Sequence, residues 1–128
     1  MVALALLSAA AFLSSRPEAA SFLASNNAAL SRGAEEASFL AKSDAAMTRM
    51  MAAMMKSKPS NDVDRDFVAL MVPHHQGAID MAEAELSYGR NESLRGLAQE
   101  IIATQQQEIV AMRRALGEPL PASVSSST

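Results

Sequence analysis

Residues 62–88 read DVDRDFVALMVPHHQGAIDMAEAELSY, and this stretch decides the fold. On a wheel of about 100° per residue, Phe67, Val68, Leu70, Met71, Ala78, Ile79, Met81, Ala82 and Leu86 share one arc. Asp66, Gln76, Asp80 and Glu83 fall outside it, so the spacing predicts an amphipathic helix from about Asp62 to Tyr88. The chain's only histidines, His74 and His75, lie inside the apolar arc. His74 sits between Met71 and Met81 at i−3 and i+7, and His75 between Met71 and Ile79 at i−4 and i+4. Pro73, on the solvent side of the wheel, removes one intrahelical hydrogen bond and frees the Ala69 carbonyl. It either bends the helix around its core side, re-aiming both imidazoles, or starts a new helical segment.

Working outward, Glu35 to Ser57 reads as a strong helix that Lys56, Lys58 and Pro59 bring to an end. A weaker helix precedes it from Pro17 to Ser31, with Gly33 as a break between the two. Ser60-Asn61-Asp62 supplies N-cap chemistry for the histidine helix, and Tyr88-Gly89-Arg90-Asn91 is the turn that stops it. Asn91 or Ser93 caps a last helix reaching Leu116, with Gly117 and Pro119 as its terminator. No alternating period-2 run argues for strands. Short connections make successive helices antiparallel, so the reading is an all-α, up-down antiparallel helical bundle of three helices, or four if the N-terminal segment joins.

Length and composition bound what such a bundle does. The 128 residues suffice for one modest domain, and zero cysteines exclude disulfides, thiolate zinc sites and iron-sulfur clusters. Any metal must be held by histidine, methionine, carboxylate or amide. A net charge of −3 and 4% aromatic content argue against nucleic acid and anionic membrane surfaces as partners. Residues 1–15 are apolar, as long as a secretory h-region and too short to span a bilayer. They read as a signal peptide cleaved after Ala10, Ala11 or Ala20, although Arg16 is the first basic residue; the alternative is a buried N-terminal helix. The expected organisation is therefore residues 1–20 as signal peptide or apolar helix, 21–43 as an N-terminal helical segment, 44–117 as a helical metal-binding domain and 118–128 as a flexible tail.

Nine methionines are the odd feature of the composition. Met47, Met50, Met51, Met54 and Met55 recur at i, i+3, i+4, i+7 and i+8, one face of a helix. Alone, such a stripe reads as adaptable core. With Met71, His74, His75 and Met81 on a core-facing arc of the next helix, it reads as a set of soft ligands. Wheel placement puts all eight methionines after Met1 on core-facing arcs. The last helix carries Gln105 and Glu108 within its apolar stripe, and a carboxylate there needs a partner. A histidine of the neighbouring helix fits, directly or behind a metal; an arginine across a helix interface, or water, are the alternatives.

Thioether sulfur selects Cu(I), and imidazole serves Cu(I) and Cu(II), so a Met/His cluster favours copper. Positions i−3 to the histidines hold Met71 and Val72, which breaks the Glu-x-x-His pattern of di-iron bundles. The His-Glu-x-x-His zinc pattern, a phosphate loop and a nucleophile elbow are all missing. The chain therefore reads as a non-enzyme, with copper redox chemistry the weakest alternative.

The segment from Asp64 to Ala82, with its Met-x-Pro-His-His-x-x-Ala-x-x-Met core, resembles the signature of the bacterial domain of unknown function 305. Met50-Met51 and Met54-Met55 are similar to that family's methionine helix, and Leu97-Ala98 through Ile101-Ile102, Gln106, Glu108-Ile109 and Met112 to its closing helix. The resemblance covers about Met47 to Leu116; the region before Asp44 shows no clear match. It implies a ferritin-like bundle, usually exported to the periplasm or cell surface, with copper tolerance as the role of some members. Carried over, it implies Met71, His74, His75 and Met81 as copper ligands, with Met50, Met51, Met54 and Met112 as further sulfur donors. Gln105 and Glu108 stand behind them. The expected partners are the copper ion, a copper-delivery protein and, because some relatives carry two domain copies, a second copy of the chain. A self-associating bundle with methionines as plastic core and no metal role is the alternative.

Overall fold

The computed structural model describes residues 17–119, which form three helices: α1 (Pro17–Lys56), α2 (Val63–Tyr88) and α3 (Glu92–Ala115). The expected signal-peptide reading of the first residues and the tail beyond residue 119 lie outside the described residues. Among the described residues there is no strand, and no helix is long and apolar enough to cross a membrane. The protein is an all-α bundle of the up-down kind.

The expected break at Gly33 does not occur; α1 is continuous from Pro17 to Lys56. Nothing lies within 4 Å of where a Cβ would stand at Gly33. One exposed glycine costs a helix only about 1 kcal/mol, which its alanine and glutamate neighbours offset. The chain divides into two compact units, residues 1–37 and 38–128. Within the first, the described part is helical and leaves Phe22, Leu23 and Leu30 exposed.

The second unit contains the end of α1 together with α2 and α3. α1 stops at Lys56 because Lys58 precedes Pro59, a position that disfavours helical backbone. Asn61 takes the left-handed conformation at φ 65°, which asparagine tolerates. Asp62 then caps α2, its carboxylate accepting from the amides of Asp64 at 3.0 Å and Arg65 at 3.2 Å. Pro73 does not start a new segment, since α2 runs unbroken through it. The Ala69 carbonyl that it frees is taken by the Ser57 hydroxyl, which donates to it at 3.2 Å. Asn91 caps α3 by accepting from the amides of Ser93 and Leu94, and Arg95 reaches back to donate to the Leu86 and Gly89 carbonyls at the end of α2. α3 closes in a Schellman turn around Gly117 at φ 70°, with the amides of Gly117 and Glu118 donating to Arg114 and Arg113.

α1 and α2 are antiparallel. Lys42 Nζ meets Ser87 Oγ at 3.4 Å and stands over the Tyr88 ring, Arg49 pairs with Asp80 at 2.7 Å, and Ser57 meets Ala69. Their contact is built on small residues: Ser43 and Ala46 on α1 and Gly77 and Ala84 on α2 are all buried. Met50 packs directly on Gly77, where an added Cβ would stand 2.8 Å from its Sδ. α3 runs back along α2, with Glu108 at His75 and Arg95 at Leu86.

Gly77 and His75 are about 200° apart around α2, so the two neighbours lie on opposite sides of it. The second unit is therefore a layer with α2 in the middle. One flank of α2 is polar, with Gln76, Asp80 and Glu83; the other carries Phe67, Leu70, His74 and Met81. Among the described residues the buried apolar side chains are Ala46, Val68, Ile79, Ala82, Ala84 and Ala98, four of them alanines.

This geometry corrects the placement of the methionines on core-facing arcs. Met47, Met51, Met55 and Met81 are exposed, and only Met50 looks squarely at α2. The apolar arc of α1 is wider than the strip that α2 covers. Small residues, which weigh little on a hydrophobic wheel, occupy that strip and turn most of the methionine stripe about a quarter-turn away.

Candidate metal centre

The two adjacent histidines do different things. His75 is buried at 8% exposure and faces α3, and both its ring nitrogens are engaged. Nδ1 lies 2.9 Å from the Met71 carbonyl oxygen and Nε2 lies 2.8 Å from Glu108 Oε2. A carbonyl only accepts, so Nδ1 carries a hydrogen and donates. On the other side, either Nε2 also carries one and donates to the carboxylate, or the carboxylic acid donates to Nε2. In both states no His75 nitrogen offers a free lone pair. The Gln105 amide donates to the same Glu108 oxygen at 3.4 Å.

His75 thus holds α2 to α3, and Glu108 has the histidine partner that its place in an apolar stripe required. Glu108 is half exposed, so water covers its remaining lone pairs. As arranged, His75 does not fit the role of metal ligand, and Glu108 and Gln105 fit that of its supports.

His74 is exposed, on the apolar flank of α2, and its ring stands edge-on to His75 with centroids 6.1 Å apart. Its nitrogens take no hydrogen bond from any described residue. Met81 is exposed on the same flank and Met71 is half-buried at its edge. The register fixed by the Met50/Gly77 and Ser57/Ala69 contacts brings Met54 to the level of His74 along α1. The His75–Glu108 pair does the same for Met112 and Met71 along α3. Met50 is occupied in packing on Gly77, and Met51 is exposed beside it.

Hard donors do not converge. Among the described residues no group of three or more His, Asp or Glu side chains is placed to hold a metal ion. Asp80, next to Met81, is spoken for: burial opposes its ionisation, but hydrogen bonds from Arg49 and Gln76 and the Arg49 charge hold its carboxyl below the ordinary value of 3.8. The donor set left over is one imidazole with neutral thioethers, which fits a soft cation and not zinc, iron or calcium. A hollow of about 400 Å³ lined by Lys58, Arg65, Pro73 and Arg113, among others, opens elsewhere and touches neither histidine.

A family model described as a domain of unknown function, DUF305, matches residues 13–116. The chain belongs to the DUF305 family. The match begins well upstream of Asp44, so the whole of α1 is part of the DUF305 domain and not an appendage to it. No curated protein matches the sequence.

Two features of the centre were missed in the sequence. The helix wheel placed both histidines toward the core, although neighbours about 100° apart cannot face one adjoining helix together. The Met71 carbonyl as a partner of His75 also went unseen, since the wheel ranks side chains and ignores the backbone.

Proposed function

We propose that this DUF305 protein is a non-enzymatic, extracytoplasmic copper-binding protein that sequesters Cu(I) or hands it on. The observation that carries the reading is the exposed imidazole of His74, hydrogen-bonded to no described residue, on the flank that Met71 and Met81 share. A neutral soft donor set of this kind stabilises Cu(I) over Cu(II) and binds without a buried charge to neutralise. His74 is the nitrogen donor, Met81 and Met71 are the first sulfur donors, and Met54, Met51 and Met112 extend the set. His75, locked to Glu108, fixes the α2/α3 contact that aims the flank. Copper is cargo here, and a copper-delivery protein is the partner class that would receive it.

The test is anaerobic titration of the full chain with Cu(I) against a competing chelator. His74→Ala combined with Met81→Leu should weaken binding at least about tenfold, the loss of one good ligand's 1.4 kcal/mol. Equal affinities in the variant and the native chain would overturn the reading.

A second reading is favoured by a different observation. Exposed Leu94, Leu97, Leu40 and Met47 are what a bundle shows when another protein surface covers it. A pure interaction module predicts no rise in unfolding temperature with saturating Cu(I), where metal binding to the native state predicts one.

A further inference from the structure

The apolar flank of α2 continues onto both neighbours. In an antiparallel layer, the side of α1 that extends it carries Leu40, Met47 and Met51, and the side of α3 carries Leu94 and Leu97. These residues, with Phe67, Leu70 and Met81, are each between 40% and 55% exposed. Helices need a second layer to cover an apolar stripe, and the buried set of this layer is mostly alanine. We propose that the layer's open face docks on the same face of a second copy of the chain, and that the soft-donor site is completed between the two copies.

Two observations, the exposed area and the place of the donors along the face, select a second copy as the occupant. The exposed side chains amount to on the order of 700 Å² of apolar surface per chain, close to the roughly 800 Å² per partner of a standard interface. The face carries Glu85, one turn beyond Met81 on α2, besides the rim carboxylate Glu108 that is tied to His75, so two identical faces avoid like-charge repulsion where the two-fold sets the two Glu85 carboxylates at opposite ends. Finally, α2 is the middle helix of the layer, and His74 and Met81 straddle the mid-level of its overlap with both neighbours. A two-fold axis through the middle of the face sets His74 of one copy against His74 of the other when the α2 helices run parallel. It sets His74 against Met81 of the other copy when they run antiparallel. Either arrangement adds a soft donor to the single imidazole that one chain presents.

The shared site rests on the copper reading; the docking does not. The experiment is sedimentation velocity of the full metal-free chain and of Leu94→Asp/Leu97→Asp, with circular dichroism to check folding, followed by the Cu(I) competition titration on both. Both leucines are half exposed and lie in the first turns of α3, where acidic residues suit the helix dipole, so the variant keeps its helices. The native chain should sediment as a dimer, the variant as a helical monomer that binds Cu(I) at least tenfold more weakly, although neither leucine is a donor. A native monomer, or a dimer unchanged by the substitutions, overturns the docking. A monomeric variant with native copper affinity overturns the shared site and leaves the copper reading standing. A dimer that the substitutions split but that takes up no copper overturns the copper reading and keeps the docking.

Discussion

Replacing Gly77 by alanine tests the close α1/α2 contact that aims the histidine flank. The new Cβ would stand 2.8 Å from Met50 Sδ, 3.0 Å from its Cβ and 3.1 Å from its Cγ. The sulfur can swing aside. The Met50 Cβ cannot, because it is fixed to the α1 backbone, so the two helices must separate by a few tenths of an ångström. Overpacking of this kind costs about 1–3 kcal/mol, against a gain of up to about 1 kcal/mol for removing a glycine from a helix interior. The net is a destabilisation of about 1 kcal/mol, or roughly 4–8 °C in Tm for a domain of this size. Gly96 is the control: it lies inside α3 with nothing within 4 Å of its would-be Cβ, so Gly96→Ala keeps only the gain. Thermal unfolding followed by circular dichroism should show opposite signs, Tm falling for Gly77→Ala and rising for Gly96→Ala. Two increases of similar size would refute the close contact and the register built on it.

Glu108→Ala should cost about 1–2 kcal/mol by urea unfolding because it strips the partner from a buried His75 nitrogen. Glu108→Gln, whose amide can still donate to that nitrogen, should cost less. His74→Ala, by contrast, should leave the stability from urea unfolding within about 0.5 kcal/mol of native, as expected of an exposed residue hydrogen-bonded to no described residue, while His75→Ala should lower it by more than about 1 kcal/mol. Equal effects would refute the division of labour between the two histidines. Because the Asp80 carboxyl is held below 3.8, the Arg49 pair stabilises the fold above that pH and the contribution disappears as pH falls through the lower folded value. Arg49→Met leaves burial unopposed by that cation, so Asp80 should titrate higher by NMR and acid unfolding should begin at higher pH. With Arg49 largely exposed, the loss at neutral pH should be only about 0.5 kcal/mol. Ser57→Ala should cost about 1 kcal/mol in the native background and nothing in Pro73→Ala, where the restored amide takes the Ala69 carbonyl; additive costs would refute the pairing.

The fold was legible because its signals are local. Asp62 and Asn91 cap helices where their side chains predict it, Gly117 ends α3, and the 3.6-residue period of α2 is plain in residues 62–88. Gly33 misled because punctuation by a single glycine is a matter of about 1 kcal/mol, which a run of good helix formers overrides. The Glu108–His75 pair was legible only in part: a carboxylate on an apolar stripe needs a partner, and a histidine of the neighbouring helix fits, but the sequence leaves an arginine or water open and does not choose between His74 and His75. The direction of the methionines was not. Which part of a wide apolar arc meets a neighbour depends on how closely the backbones approach, and here Ser43, Ala46, Gly77 and Ala84 set that approach. A wheel weighted by hydrophobicity passes over exactly those small residues.

The coincidence of an open apolar face and a soft donor set has a physical reason. A metal site on a surface that another layer covers must lose its water, and carboxylate ligands there would bring charge into the interface at a cost of several kcal/mol per ion. Thioethers and a neutral imidazole carry no such penalty, so Met81, Met71 and His74 can stand on a docking face without opposing the docking. Glu108 meets the same constraint differently: it stays half in water at the rim and spends its buried oxygen on His75. On the copper reading, covering the face would also exclude water and oxidants from Cu(I) held there, which favours the reduced ion. On the copper reading, one set of side chains therefore serves both association and metal retention, and the two should strengthen each other. Cu(I) that bridges two copies must stabilise the dimer by the same factor by which dimerisation tightens Cu(I) binding.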